Sequence, residues 1–99
     1  MIIRVVTYHT TKGEDAKKWM ETSATELRSV KGVRRVEFIR NQGDPSQYGG
    51  IMLFRDQADL DNYKEEQTGK YQTLVPQIRE TWVDNSKPVN EQIYEILDI

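Results

Sequence analysis

The only histidine in the chain, His9, is the side chain best suited to move a proton near neutral pH. It follows a run of strand-forming residues and precedes a predicted helix. A histidine at such a strand end is well placed to act as a general base at the edge of a ligand pocket. The alternative is a loop histidine that caps the helix or faces solvent. Because side chains alternate along a strand, His9 lies on the same face as Ile3, Val5 and Thr7, and which face that is stays open.

Aromatic residues are spread over the chain so that many would converge between helices and sheet. A cavity walled by aromatic side chains and a few polar groups suits a flat, apolar, phenolic ligand. The alternative for each residue is ordinary core packing. The set comprises Trp19, Phe38, Phe54, Tyr63, Tyr71 and Trp82.

Metal and cofactor chemistry has little support in the composition. With no cysteine and one histidine, the chain lacks the usual ligands of a tightly held transition metal. The paired carboxylates Glu14/Asp15 and Asp56/Asp59 fit the first turns of helices, where the helix dipole favours negative charge. We therefore expect no tightly held transition metal.

The order of the predicted elements is β-α-β-β-α-β, which is typical of a ferredoxin-like α+β sandwich with an antiparallel sheet. The strands are predicted at Ile2–Tyr8, Val33–Arg40, Tyr48–Phe54 and Gln92–Leu97. The first helix is predicted over Gly13–Val30, with a capping box at Thr11 and Glu14 and a glycine, Gly32, at its end. All 99 residues fit one domain.

The second helical region, Gln57–Val83, is predicted to be broken at Thr68 and Gly69. Beyond the break, Pro76 fits a helix that begins near Thr73, because proline is tolerated in a first turn. Two adjacent glycines, Gly49 and Gly50, indicate a bulge or a close backbone approach in the third strand, at the roof of a pocket.

Two of the predicted strands, Ile2–Tyr8 and Tyr48–Phe54, carry apolar residues on both faces. Two helices can cover only one face of the sheet, so the other face favours a second copy of the chain, and we expect a homodimer. The formal charge of −2, with signs alternating along the chain, gives no support for nucleic-acid binding. No apolar run approaches the length that spans a bilayer, and the expected location is cytoplasmic.

Several segments together resemble the dimeric α+β barrel proteins, and in particular the antibiotic biosynthesis monooxygenase-like domain. The resemblance covers nearly the whole chain and consists of patterns of residue type. Its segments are Ile2–Tyr8, Lys12-Gly13-Glu14, Val30-Lys31-Gly32-Val33, Met52-Leu53-Phe54-Arg55-Asp56, and Tyr71 through Trp82.

The resemblance implies two sheets packed face to face across a dimer, with a pocket between sheet and helices in each protomer. Similar proteins include cofactor-independent monooxygenases of phenols or quinols, haem-degrading enzymes and isomerases. The chain departs from the quinol-oxidising and haem-degrading members, which often carry a histidine in the second helical region. Here Asn62 or Tyr63 falls at about that position, and strand three ends in Phe54-Arg55-Asp56 without the tryptophan often found there.

Two hypotheses follow from the residues and the resemblance. In the first, the protein is a cofactor-independent monooxygenase in which a base forms a substrate anion that reacts with dioxygen. His9 would be the base, the polar orienting groups would be Asn62, Tyr63, Tyr71 and Arg79, and the apolar walls would be Trp19, Phe54 and Trp82. In the second, the protein binds an apolar metabolite or assists a pathway enzyme without catalysis. Isomerase or lyase chemistry in the same pocket stays open beside them.

Overall fold

The computed structural model describes residues 1–65 and 70–99, and the side chains of Lys70, Tyr71, Leu74 and Val75 lie outside that description. Within these residues, the chain forms four strands and three helices in an α+β arrangement. Their order is β1 (Ile2–His9), α1 (Gly13–Arg28), β2 (Val33–Asn41), β3 (Asp44–Phe54), α2 (Gln57–Glu65), α3 (Lys70–Thr81) and β4 (Asn90–Glu95). The predicted ferredoxin-like order is confirmed.

The four strands form one antiparallel sheet in the order β2-β3-β1-β4. The register pairs Tyr8 with Tyr48 and Arg4 with Met52 across the two central strands. Tyr8 packs in one cluster with Ala16 and Met20 of α1, so the even-numbered residues of β1 face the helices. The odd-numbered residues, from Ile3 to His9, therefore lie on the opposite face, which the helices of this chain leave open.

The core lies between the sheet and the helices in two clusters. The first contains the fully buried Phe54 together with Val36, Met52 and Leu60. The second is built around Tyr8, Tyr48 and two residues of α1. Phe38 of β2 is partly buried and packs against both clusters, so it forms the boundary between them.

Helix α1 buries one face against the sheet, including Ala16, Met20 and Leu27. The predicted capping box is wrong: Lys12 is the N-cap and makes no side-chain cap, and Thr10 instead accepts a hydrogen bond from the Lys12 backbone N–H at 3.1 Å. The helix-ending Gly32 is confirmed in the left-handed conformation, with φ of 86°. A Cβ at Gly32 would also lie 2.6 Å from the carboxyl carbon of Asp59, so no other residue fits there without strain.

Several predicted boundaries differ from the structure, and helix α1, for example, ends at Arg28 rather than at Val30. Strand β3 begins at Asp44 rather than at the predicted Tyr48, because Asn41 already pairs with Asp44 across the short β2–β3 turn. Helix α3 begins at Lys70, so Pro76 lies inside the helix rather than in its first turn. A proline there lacks the N–H that would bond to the Gln72 carbonyl, and its ring crowds that carbonyl, but the helix continues to Thr81. Strand β4 begins and ends two residues earlier than predicted. The predicted break at Thr68 and Gly69 lies outside the described residues.

The adjacent glycines of β3 meet different surroundings, which yields a paired prediction. A Cβ at Gly49 would overlap the backbone carbonyl oxygen of Val6 on the neighbouring strand, whereas a Cβ at Gly50 would find its nearest atoms at 3.9 and 4.0 Å. Gly49→Ala should therefore lower the free energy of unfolding by about 2 kcal/mol or more, because strand backbone must move. Gly50→Ala should change it by no more than about 1 kcal/mol.

Urea unfolding followed by circular dichroism measures both variants under the same conditions. Equal effects of the two substitutions would contradict the register that places Gly49 against β1.

Candidate functional site

A cavity of about 90 Å³ lies between the helix-facing side of the sheet and the three helices. We call it the central cavity. Its walls are mainly apolar and come from β1, α1, β2, β3, α3 and the segment after α3, with Gly50 leaving room at the sheet. The apolar lining residues are Val6, Leu27, Val36, Phe38, Met52, Ile78, Val83 and Val89.

Polar groups enter the central cavity from both sides. Arg4, Tyr8 and Glu91 project from the sheet, and Tyr63 and Arg79 from helices α2 and α3. Apolar walls with a few convergent polar groups are the usual character of a small-molecule site. Two of these residues, Tyr63 and Arg79, were predicted from the sequence as orienting groups.

A charged chain of contacts crosses one side of this cavity. The Arg4 Nε donates to Glu91 Oε2 at 2.8 Å, and the Lys64 Nζ donates to Glu91 Oε1 at 2.6 Å. The Arg4 guanidinium also lies 6.0 Å from the centre of the Tyr63 ring. The carboxylate thus joins a buried cation of β1 to α2 through β4.

The ionisation of Glu91 follows from these contacts. Partial burial opposes ionisation of the carboxyl, but the hydrogen bonds and positive charges of Lys64 and Arg4 outweigh it and lower the pKa of Glu91 below its ordinary value. A carboxylate held in this way is a weak base. Its role is to keep Arg4 in place and to balance part of its charge.

Arg79 is exposed, whereas Arg4 is buried and paired with Glu91. It lines the cavity from α3 while remaining exposed to solvent. Among the described residues, its guanidinium has no hydrogen-bond or ion-pair partner. It is therefore a cation available to an anionic group of a ligand at the cavity mouth.

His9 lies on the sheet face opposite the central cavity and does not line it, and its role as a catalytic base stays a prediction. Its Nε2 is 3.2 Å from Asp44 Oδ2, and its backbone carbonyl accepts from the Asp84 N–H at 2.7 Å. Asp44, whose pKa is lowered chiefly by its hydrogen bonds from Ser46 and further by His9, is the natural partner of the imidazole. Because side chains alternate along β1, His9 lies on the face of the odd-numbered residues. No signal in the sequence showed which set of residues, odd or even, faces the helices.

The predicted apolar walls also fall outside the central cavity. Trp19 and Trp82 pack against each other, with ring centres 6.2 Å apart, in the cluster at the start of α1. Phe54 has no exposed surface and packs against Tyr63, with ring centres 5.5 Å apart. These three aromatics serve the core, which was the alternative for each of them.

Two predicted residues remain, Asn62 and Tyr71, and the structure places neither of them in the central cavity. Asn62 is exposed on α2, beside a surface depression that also involves Lys31. The side chain of Tyr71 lies outside the described residues.

Sequence reasoning missed Arg4, Tyr8 and Glu91. The signal in the sequence was Arg4, a single arginine within the apolar run of β1. Arginine is rarely buried without a partner, and in the structure only 9% of Arg4 is exposed. Among the residues described, no group of three or more histidine, aspartate or glutamate side chains could hold a metal ion. The described helices also include none that is long and apolar enough to cross a membrane.

Comparison with known proteins supports the fold through structure alone. No protein-family model and no curated protein matches the sequence. Solved structures do match. A candidate antibiotic biosynthesis monooxygenase from Nitrosomonas europaea has 20% identity and a TM-score of 0.77, with 98% of this chain and 99% of that chain covered. A second candidate of that kind, from Deinococcus radiodurans, has 9% identity and a TM-score of 0.79 over 100% of this chain and 95% of that chain.

A further match is a variant of SnoaB, a cofactor-independent oxygenase from Streptomyces nogalater. Its identity is 9% and its TM-score 0.75, with 99% of this chain and 94% of that chain covered. Matches at these low identities establish a common fold. The chain therefore has the same ferredoxin-like α+β fold as these three solved structures.

Tyr8 gives a prediction for alkaline pH. Burial, aided by the nearby Tyr48, raises the pKa of Tyr8 from 10.0 to about 12. The unfolded chain therefore loses this proton first as pH rises. The stability due to the neutral phenol is complete below pH 10 and is lost progressively towards pH 12, by about 2–3 kcal/mol in total.

Tyr8→Phe should lack this part of the alkaline loss, and Tyr94→Phe, which changes an exposed tyrosine, should retain it. The measurement is urea unfolding at several alkaline pH values. Parallel curves for Tyr8→Phe and the unaltered protein would contradict the burial of Tyr8.

Proposed function

We propose that this chain is a cofactor-independent monooxygenase that oxidises a phenolic aromatic compound in the central cavity. The observation that carries the proposal is the pair of guanidiniums, Arg4 and Arg79, at a cavity whose walls are mainly apolar. The fold common to this chain and a cofactor-independent oxygenase supports the choice of reaction. A phenol fits this site because its apolar ring can pack against the walls and its oxygen, once ionised, can bind the arginines.

The arginines would act by stabilising the substrate anion. A positive charge within about 4–6 Å of a phenol favours its ionised form and lowers its pKa. The proton can leave to solvent at the mouth, where Arg79 is exposed. The phenolate is then the reductant: dioxygen accepts its electrons, one oxygen atom becomes a new ring carbonyl, and the other leaves as water. For 1-naphthol the balance is one naphthol and one O₂ to one 1,4-naphthoquinone and one H₂O.

The second candidate is a binding protein that holds such a compound without turnover. It is favoured by the lining of the central cavity, which among the described residues includes no histidine and whose one carboxylate, Glu91, is already held by two cations. This candidate predicts saturable binding of the same phenols with no uptake of oxygen.

Oxygen uptake by the purified protein with 1-naphthol separates the two candidates. The monooxygenase should consume one O₂ per quinone formed, and with ¹⁸O₂ one labelled atom should appear in the quinone. Arg79→Gln should lower kcat/KM by about tenfold or more, because a charge-assisted contact to the anion is lost. Arg34→Gln, which removes an exposed arginine elsewhere, is the matched control.

His9→Ala should keep its turnover, because the imidazole faces away from the cavity. Full loss of activity in this variant, with Arg79→Gln unaffected, would move the site to the open face of the sheet. Binding of 1-naphthol without labelled quinone would instead support the binding protein.

We also propose that the open face of the sheet is covered by a second copy of the chain. It presents Ile3, Val5, Ile39, Ile51 and Leu53, all only partly buried, beside the exposed Tyr94 of β4. A contiguous apolar surface of this kind is unusual on a soluble monomer.

A charged residue on the open face should prevent the dimer from forming. Ile51→Lys, at the centre of the open face, should convert the protein from a dimer to a monomer, because the interface would bury an unpaired charge. Thr22→Lys adds the same charge on the exposed side of α1 and should leave the dimer intact. Light scattering coupled to size-exclusion chromatography measures the mass, and a monomeric unaltered protein would contradict the proposal.

A further inference from the structure

The central cavity is too small for the ligand that the proposed function requires. Its volume is about 90 Å³, whereas an apolar cavity of roughly 150 Å³ is what admits benzene. A flat phenol of two or more rings therefore needs a side chain to move. The side chain that needs the least free energy to move is one that is not fully buried and that borders a second depression.

Phe38 meets both conditions. It is partly buried, it lines the central cavity, and it also lines a second depression of about 370 Å³ between α1 and the edge strand β2. We call this depression the α1–β2 groove. Directly across the sheet, Phe38 pairs with Gly50, where a Cβ would lie 4.0 Å from the Phe38 ring. The ring therefore borders both the central cavity and the α1–β2 groove, and its rotation would join the two.

The α1–β2 groove combines an apolar floor with a positively charged rim. The floor is formed by Met20, Ala24 and Tyr48, which are buried at 4%, 5% and 6% exposure. The charged rim residues are three cations and one carboxylate: Lys17, Arg28, Arg40 and Glu21. This local excess of positive charge occurs on a chain whose formal charge is −2.

Two of the three cations are available to a ligand. Arg28 is engaged, since its Nη2 donates to the Val36 carbonyl at 2.8 Å. Within residues 1–65 and 70–99, Lys17 and Arg40 have no hydrogen-bond or ion-pair partner, and Arg40 is held only near the Tyr48 ring, 6.0 Å from its centre. A cation resting on an aromatic floor is well placed to meet an anionic group attached to an aromatic body.

We propose that the α1–β2 groove is an anion-binding extension of the central cavity, opened by rotation of Phe38. The ligand is then an elongated aromatic compound whose rings occupy the joined space and whose carboxylate or sulfonate meets Lys17 and Arg40. This inference rests on the proposed function only in placing the rings in the central cavity. It adds a chemical class, an acidic polycyclic aromatic, that the cavity alone does not specify.

The test uses two fluorescent probes with the same rings, 1-anilinonaphthalene-8-sulfonate and the neutral N-phenyl-1-naphthylamine. The double variant Lys17→Gln/Arg40→Gln should weaken binding of the sulfonate by about tenfold or more and change binding of the neutral probe by less than about twofold. Lys18→Gln/Arg34→Gln removes the same charge from other exposed positions and should change neither. Equal loss for both probes, equal loss in the control variant, or no saturable binding of the sulfonate overturns the groove.

Phe38 is tested by Phe38→Ala and Phe38→Leu, with near-ultraviolet circular dichroism to verify that each variant is folded. Removing the ring should tighten binding of both probes several-fold, and Phe38→Leu preserves the test if the alanine variant unfolds. Unchanged binding in a folded variant contradicts the role of Phe38. Competition by 1-naphthol distinguishes the two proposals: if 1-naphthol is turned over but does not displace the sulfonate probe, the groove inference fails and the proposed function stands.

Discussion

Alternation of side chains along β1 divides the chemistry of this protein between the two faces of one sheet. Arg4 and Tyr8 point towards the helices, whereas Val5 and His9 point to the open face. Because the period is two residues, a shift of one would exchange the two sets completely. The central cavity, the position of the histidine and the apolar surface offered to a second copy all depend on this parity.

The ion pairs of Glu91 maintain the charged side of the cavity. An arginine buried in a sheet loses most of its hydration, and it is tolerated where a carboxylate compensates it. Glu91 does so from β4 and also binds Lys64 of α2. The positive charge at the cavity is consequently positioned by strand and helix backbones rather than by a loop, which suits a site that must hold an anion in one orientation.

The sequence predicted the fold more fully than the site, for identifiable reasons. Element order depends on long runs of apolar periodicity, and these were clear in β1 and in α1. The site depends on single positions. His9 was the natural catalytic candidate by residue type, and its face could not be derived from one strand. Trp19 and Trp82 were large enough to line a pocket, but they pack against each other instead. Their packing depends on how the end of α3 meets the start of α1, where the Lys12 Nζ donates to the Thr81 carbonyl at 3.1 Å. That contact spans 69 residues and leaves no local pattern in the sequence.

The most direct test of the account is to locate a bound phenol relative to the two faces of the sheet. Isotope-filtered nuclear Overhauser spectroscopy of the methyl-labelled protein with 1-naphthol measures which methyl groups the rings contact. We expect contacts to Val6, Leu27 and Met52, which line the central cavity. Contacts to Val5 and Ile51, their neighbours on the open face, would contradict binding in the central cavity.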